Sequence, residues 1–243
     1  MPRFFIDADL QVGLPINLPG NLVHHIQVLR LQKGNIITLF SGTGGEYRAI
    51  LLNICKKQAT AQVIEYIIRE AESPYHITLA QSIASGTKMD WIIEKAVELG
   101  VSAIQPLTTE RAVTQLSGQR AIKRVTHWQN LVRAACEQCG RNRIPSINPI
   151  QTLTRWLSSS SKDFQWRILL SPKASEGFEI LPIQAPHSPG VLLFGPEGGL
   201  SEAEESASQA NGFTCIHLGA RILRTETASV AVLAALAARW GGW

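Results

Sequence analysis

Cysteine is scarce. The chain has four in 243 residues, Cys55, Cys136, Cys139 and Cys215, too few to staple a chain of this length, which excludes a disulfide scaffold. Cys136 and Cys139 alone have ligand-like spacing, and no second such pair or nearby histidine pair completes four zinc ligands. No metal is expected, and the thiols are read as reduced. His24 and His25 do not change this, because adjacent residues point in different directions on any regular element. Long apolar runs are missing too: the longest, Val230 to Ala238, is half of the ~18–20 residues a membrane span requires. The acid at Asp7 stands where a signal peptide would be apolar. A cytoplasmic protein with no membrane partner is expected. Charged residues are few, 17% against 45% hydrophobic, which excludes a disordered, charge-rich chain. The length suits one large domain or two modest ones.

The charge present is unevenly placed. Of a net +4, residues 111–155 carry +7, while residues 1–110 carry −1 and 156–243 carry −2. Arg111, Arg120, Lys123, Arg124, Arg133, Arg141, Arg143 and Arg155 are opposed only by Glu137. A polyanionic partner accounts for such a cluster; a solvated helix face, the alternative, usually carries both signs.

The first seventy residues read as short strands. Ile36 to Phe40 and Tyr47 to Leu51 flank the turn Ser41-Gly42-Thr43-Gly44-Gly45 as a hairpin, and Ala61 to Ile67 alternates again, which predicts a small antiparallel sheet or barrel. Around Glu70 to Pro74 the chain turns polar, and beyond it the rhythm changes. Ile77 to Ala80, Val101 to Ile104, Arg167 to Leu170, Val191 to Phe194 and Phe213 to Leu218 read as strands. Helices are predicted over Met89 to Leu99, His127 to Cys139 and Ala228 to Trp240, and Ser158 to Ser161 as a loop. Strands alternating with helices predict a parallel α/β sheet. The domains are set at 1–72 and 73–243.

Ligands of open parallel sheets bind beyond the carboxyl ends of strands, and three loops there are unusual. Gly195-Pro196-Glu197-Gly198-Gly199 follows an apolar strand and precedes Ser201 and Glu204, the spacing of a capping box. It lacks the Gly-Lys-Ser/Thr of a nucleotide-triphosphate loop. Leu218 to Thr227 crowds Arg221, Arg224 and Glu226 into another strand-to-helix junction, where an internal Arg–Glu pair is the bland alternative. Ser171-Pro172-Lys173 is the third.

Glu137 to Arg143, Phe194 to Ser201 and Leu218 to Ala228 resemble the signature blocks of the RsmE family, bacterial enzymes that methylate N3 of a uridine in small-subunit ribosomal RNA. Pro2 to Phe5, His24 to Arg30 and Met89 to Val101 resemble that family as well, so the likeness spans nearly the whole chain. It departs mainly in the serine insert and at Cys139. The resemblance implies an α/β SPOUT catalytic domain with a trefoil-knotted parallel sheet, preceded by a PUA-like β-barrel that binds RNA. It also implies a homodimer, S-adenosylmethionine as cofactor, and 16S ribosomal RNA or the small ribosomal subunit as partner.

By the same carry-over, Leu170, Phe194, Gly195, Pro196, Glu197, Gly198, Leu218, Gly219, Ile222, Leu223 and Thr225 line the cofactor pocket. A valine at Gly195 or Gly198 is then expected to abolish binding by filling space the ligand needs. Methylating N3 of uracil requires loss of its imide proton, so a group must accept that proton or stabilise the anion. Glu197 is assigned to orient or deprotonate the base, with Arg141 and Arg224 stabilising charge on uracil oxygens or binding phosphate; capping the next helix is the other reading of Glu197. For RNA, Arg30, Lys33 and Arg48 form a first clamp and the basic stretch, with Arg111, Arg141 and Arg143, a second surface; Arg3 and Arg221 are assigned to RNA as well. The terminal Trp240-Gly241-Gly242-Trp243 is placed at the dimer contact. Two alternatives stay open: an RNA-binding protein without turnover, and methyl transfer to transfer RNA or to another ribosomal position.

Overall fold

The computed structural model describes residues 1–159 and 161–242. They form two compact units: Met1–Glu72 with Arg133–Ile144, and Ser73–Val132 with Pro145–Trp243. Residues 133–144 therefore belong with the first unit, although the sequence reading places them in the second domain.

The first unit is a five-stranded sheet with one helix. Strands β1 (Arg3–Phe5), β2 (Pro15–Leu18), β3 (Ile36–Phe40), β4 (Glu46–Ile54) and β5 (Ala59–Ile67) lie in the order β1-β3-β4-β5-β2. The β1–β3 pair is parallel and the others are antiparallel. Alternation works as expected: Ala59, Ala61 and Val63 of β5 are buried among Leu39, Ala49 and Leu51, and helix α1 (Gly20–Val28) adds Leu22, Val23 and Ile26. The predicted hairpin is present, with Ile36 opposite Ile50. At its turn Gly45 has φ +67, and a Cβ there would meet the Tyr66 ring at 2.2–2.6 Å, so both backbone and space demand glycine.

Polar side chains tie residues 133–144 to this sheet. Glu137 Oε1 accepts the Phe5 N–H at 2.8 Å, and fully buried Asn142 donates to the Arg69 carbonyl at 2.6 Å. Arg141 Nε donates to Glu72 at 3.0 Å, and the Arg141 side chain is only 5% exposed. Burial pushes the Cys136 thiol up to about 12, so it carries no thiolate at neutral pH.

The second unit is a parallel sheet. Strands β6 (Ile77–Ser82), β7 (Ala103–Thr108), β8 (Ser146–Ile147), β9 (Gln151–Thr152), β10 (Trp166–Leu170), β11 (Glu176–Gly177), β12 (Gly190–Phe194) and β13 (Thr214–His217) run in the order β11-β13-β10-β12-β6-β7-β8, with β9 on β7. Every pairing is parallel. β6 and β12 are buried along their whole length, as strands covered on both faces are. Helices α2 (Lys88–Glu98), α3 (Gly118–Cys139), α4 (Leu153–Ser159), α5 (Glu202–Ala210) and α6 (Thr225–Trp240) connect or follow them.

Several boundaries differ from expectation. β7 continues through Pro106, which pairs with Gln81. α3 begins nine residues before His127, at Gly118; in that stretch only Ala121 and Val125 extend the inward stripe of Trp128 and Val132, a weak signal among polar and basic neighbours. α6 begins at Thr225 rather than Ala228; its N-cap, Arg224, offers no side-chain cap for the sequence to advertise. Ser158 and Ser159 end α4 and Ser161 opens a short 3₁₀ turn, so the serine insert is no plain loop around Ser160, which lies outside the described residues. Trp240 is buried, stacked edge-on against Tyr75 and Trp166. Trp243, placed with it at a dimer contact, also lies outside the described residues.

Candidate ligand pocket at three strand ends

β10 sits between β12 and β13, so the loops leaving the carboxyl ends of these three neighbours converge. They enclose a cavity of about 320 Å³ in the second unit, within the size range of small-molecule sites. Of the eleven residues assigned to a cofactor, ten line it: Leu170, Phe194, Gly195, Pro196, Glu197, Leu218, Gly219, Ile222, Leu223 and Thr225. Gly198 does not. Its carbonyl accepts Arg111 Nη1 at 3.1 Å, and the neighbouring Gly199, at φ +68, lines the cavity instead.

The Gly-rich loop is held from both sides. Ser201 and Glu204 form both halves of the expected capping box at the start of α5, with Glu204 N–H donating to Ser201 at 3.3 Å and Ser201 N–H donating to Glu204 at 3.0 Å. Ser201 is the cap, so Glu197 is free of that duty. The Gly195 carbonyl accepts the Thr225 hydroxyl at 2.8 Å, and buried Gln81 donates to that hydroxyl at 3.1 Å. Thr225 thus lines the cavity while its hydroxyl is used to fix the loop. A Cβ at Gly195 would meet Leu200 N at 2.9 Å and Gly199 C at 3.0 Å. The expected intolerance of valine there has a different cause: the side chain strikes the loop's own backbone before it reaches a ligand.

Glu197 faces Lys88 and Ser85. Its Oε1 accepts the Ser85 hydroxyl at 2.6 Å, the Ser85 N–H at 3.0 Å and the Lys88 ammonium at 3.0 Å. Partial burial raises its pKa, but the Ser85 hydroxyl, its own backbone N–H, Lys88 and the Ser85 N–H outweigh that and bring it down to about 2. A carboxylate held so low is ionised at every physiological pH and is a poor proton acceptor. Of the roles weighed for it, deprotonation of the base is the one this environment disfavours.

The sequence reading omits Lys88, Leu200, Glu205, Ile216, His217 and Ala228, all of which line the cavity. Leu200 and Ala228 lie within the stretches that carry the family resemblance, and Ile216 and His217 directly precede Leu218, whereas Lys88 and Glu205 reach the cavity only through the packing of their helices. Ser171 and Pro172 also line it, from the third loop. Ser171 donates to Glu205 at 2.9 Å, and His217 Nδ1 accepts the Gly219 N–H at 2.9 Å. Arg221 and Arg224 line the cavity with exposed guanidiniums that no other described residue engages.

The cations assigned to RNA divide in two. Arg3 is paired with Glu46 and donates to Asn142 at 2.8 Å; Arg48 meets Glu65 at 3.0 Å; Arg143 lies 3.6 Å from Glu70. Arg141, assigned to catalysis as well, belongs to the first unit and is buried on Glu72. Arg111 is used on the Gly198 and Leu200 carbonyls, at 3.1 and 3.2 Å. Arg30, Lys33 and Arg221 are exposed and have no side-chain partner among the described residues. The basic run in sequence is thus partly spent on internal carboxylates, which periodicity cannot reveal.

Comparison with known proteins agrees with this architecture. A family model described as an RNA methyltransferase domain matches residues 71–237, and one described as an RNA methyltransferase PUA domain matches residues 18–64. A protein of Buchnera aphidicola named ribosomal RNA small subunit methyltransferase E is 35% identical, covering 99% of this chain and 97% of its own length. The Bacillus subtilis protein of the same name is 33% identical over 97% of this chain and 96% of its own. A crystal structure of the Neisseria gonorrhoeae protein of that name, bound to S-adenosyl methionine, is 40% identical with a TM-score of 0.91, covering 99% and 98% of the two chains.

Proposed function

Since the chain belongs to the ribosomal RNA small subunit methyltransferase E family, we propose that it transfers a methyl group from S-adenosylmethionine to N3 of a uridine of 16S ribosomal RNA, uridine 1498, on the assembled small subunit. The proposal includes a homodimer in the cytoplasm, a trefoil knot among the loops of the parallel sheet, and closure of the five-stranded sheet into a barrel. The observation that carries it is the convergence of the β10, β12 and β13 loops on one cavity lined by ten of the eleven assigned residues.

The residues present fit the cofactor. Leu170, Phe194, Leu218 and Leu223 offer apolar walls for a nucleobase, while Glu197 and Lys88 offer charge for a polar end. When bound, S-adenosylmethionine supplies a methyl group already activated on a sulfonium. The chain's part is to hold substrate and cofactor in line and to stabilise the base as its N3 proton leaves. Arg221 and Arg224 are the unpaired cations at the cavity, and we assign them to the negative charge that uracil oxygens gain as that proton leaves to water. Arg30 and Lys33 contact RNA phosphate from the sheet unit, and Arg141 holds its own segment to Glu72. The half-exposed Ala231, Ala234 and Ala235 of α6 supply a low-relief surface for the second copy.

The test is transfer of labelled methyl to small-subunit particles from cells lacking this modification, followed by nucleoside analysis. Label in 3-methyluridine supports the reading. Label at another atom or only in another RNA overturns the substrate, and absence of transfer with intact RNA binding leaves an RNA-binding protein without turnover.

A further inference from the structure

Among the described residues lining the cavity, Lys88 and Glu197 alone form an ion pair of opposite side chains, 3.0 Å apart. Three donors converge on Glu197 Oε1. No other described side chain takes up the remaining Lys88 donors or Glu197 Oε2. Both groups are about two-thirds or more covered, at 35% and 26% side-chain exposure, so water screens the pair less than an open surface bridge. Ser85 anchors the carboxylate, and Lys88 begins α2, so neither partner moves freely.

A pair of this kind has no net charge to offer a lone phosphate or an anionic base. For such anions the unpaired Arg221 and Arg224 are better suited. What the pair presents is a fixed dipole, and its complement is a zwitterion. The cofactor proposed above ends in one, an α-ammonium beside an α-carboxylate. Resting on that cofactor reading, we propose that the Lys88–Glu197 pair is the receptor for the amino-acid end of S-adenosylmethionine, with the α-carboxylate on Lys88 and the α-ammonium on Glu197. The tail keeps its charges throughout methyl transfer, so these contacts add to binding equally before and during reaction. They hold the cofactor without stabilising its sulfonium, whose charge must disappear.

The experiment is calorimetric titration of the full chain and of K88M, K88R and E197Q with S-adenosylmethionine, S-adenosylhomocysteine and 5′-methylthioadenosine, which has the adenosine but no amino-acid tail. Loss of one charge-assisted hydrogen bond corresponds to about tenfold in affinity. K88M is expected to weaken both tailed ligands by about that factor and to leave 5′-methylthioadenosine unchanged, while K88R restores most of the loss. Equal weakening of all three ligands would show that the pair only shapes the loop, and unchanged binding of the tailed ligands would remove the assignment. Thermal unfolding confirms that each variant is folded; if E197Q is not, K88M and K88R decide. Wild-type protein that binds none of the three overturns the cofactor reading itself, a result distinct from a failure confined to the variants.

Discussion

Gly195 and Gly198 stand three residues apart in one loop, and the fold asks different things of them. A Cβ at Gly195 meets backbone atoms at 2.9–3.1 Å, while at Gly198 it meets only Arg111 side-chain carbons at 3.4 Å or more and a carbonyl at 3.9 Å. Overpacking against backbone that cannot yield costs roughly 1–3 kcal/mol. G195V is therefore expected to lose that much stability in urea unfolding and to lose cofactor binding in titration calorimetry. G198A is expected to keep both near wild type. Glu197, between them, yields a pH prediction. Its pKa is depressed to about 2, so the stabilisation it confers is fully present above the ordinary carboxylate value of 4.5 and is lost as pH falls toward 2. Acid unfolding followed by circular dichroism should show E197Q converging on wild type below that window and differing above it.

Elements were legible in the sequence where apolar period or cap chemistry is strong. The capping box of α5 is both visible and present, because Ser201 and Glu204 satisfy each other's backbone N–H. Replacing that cap removes one hydrogen bond and the reciprocal geometry, at a cost of about 1 kcal/mol. S201A is expected to lower the urea midpoint accordingly. The cap sits directly after the loop, so the same variant should weaken cofactor binding several-fold as the loop gains freedom, which titration calorimetry checks. α3 and α6 show the reverse case. α3 opens on a mostly polar stretch and α6 on Arg224, which has no capping side chain, so their first turns carried little signal. The displaced start of α6 matters for the site: it puts Thr225 in a helix, where its hydroxyl reaches the Gly195 carbonyl.

For the whole molecule, the sequence revealed the two-part rhythm and the three loops, because both follow from local pattern. It did not reveal that residues 133–144 join the first unit, since that depends on pairings such as Arg141–Glu72 between residues far apart in the chain. For the same reason the charge count misjudged which cations are available. A phosphate contact that releases counterions contributes a slope of roughly −0.7 to −0.9 in log affinity against log salt. Only a cation without an internal partner contributes it in full. Arg30 and Lys33 qualify, and Arg30 does so at an expense: with φ +53 it is the one non-glycine residue at positive φ among those described. It follows α1, where glycine is the favoured residue. R30G is therefore expected to raise stability by about 1 kcal/mol while weakening RNA binding, opposite signs that a purely structural arginine would not give. Fluorescence anisotropy with small-subunit RNA between about 50 and 200 mM salt reads the second effect. The double variant R30Q/K33Q should reduce the slope by about 1.5, whereas R48Q, whose side chain is paired with Glu65, should change it much less. An unchanged slope in the double variant would take Arg30 and Lys33 off the RNA, and a flat salt profile in the wild type would point to a substrate other than a polyanion.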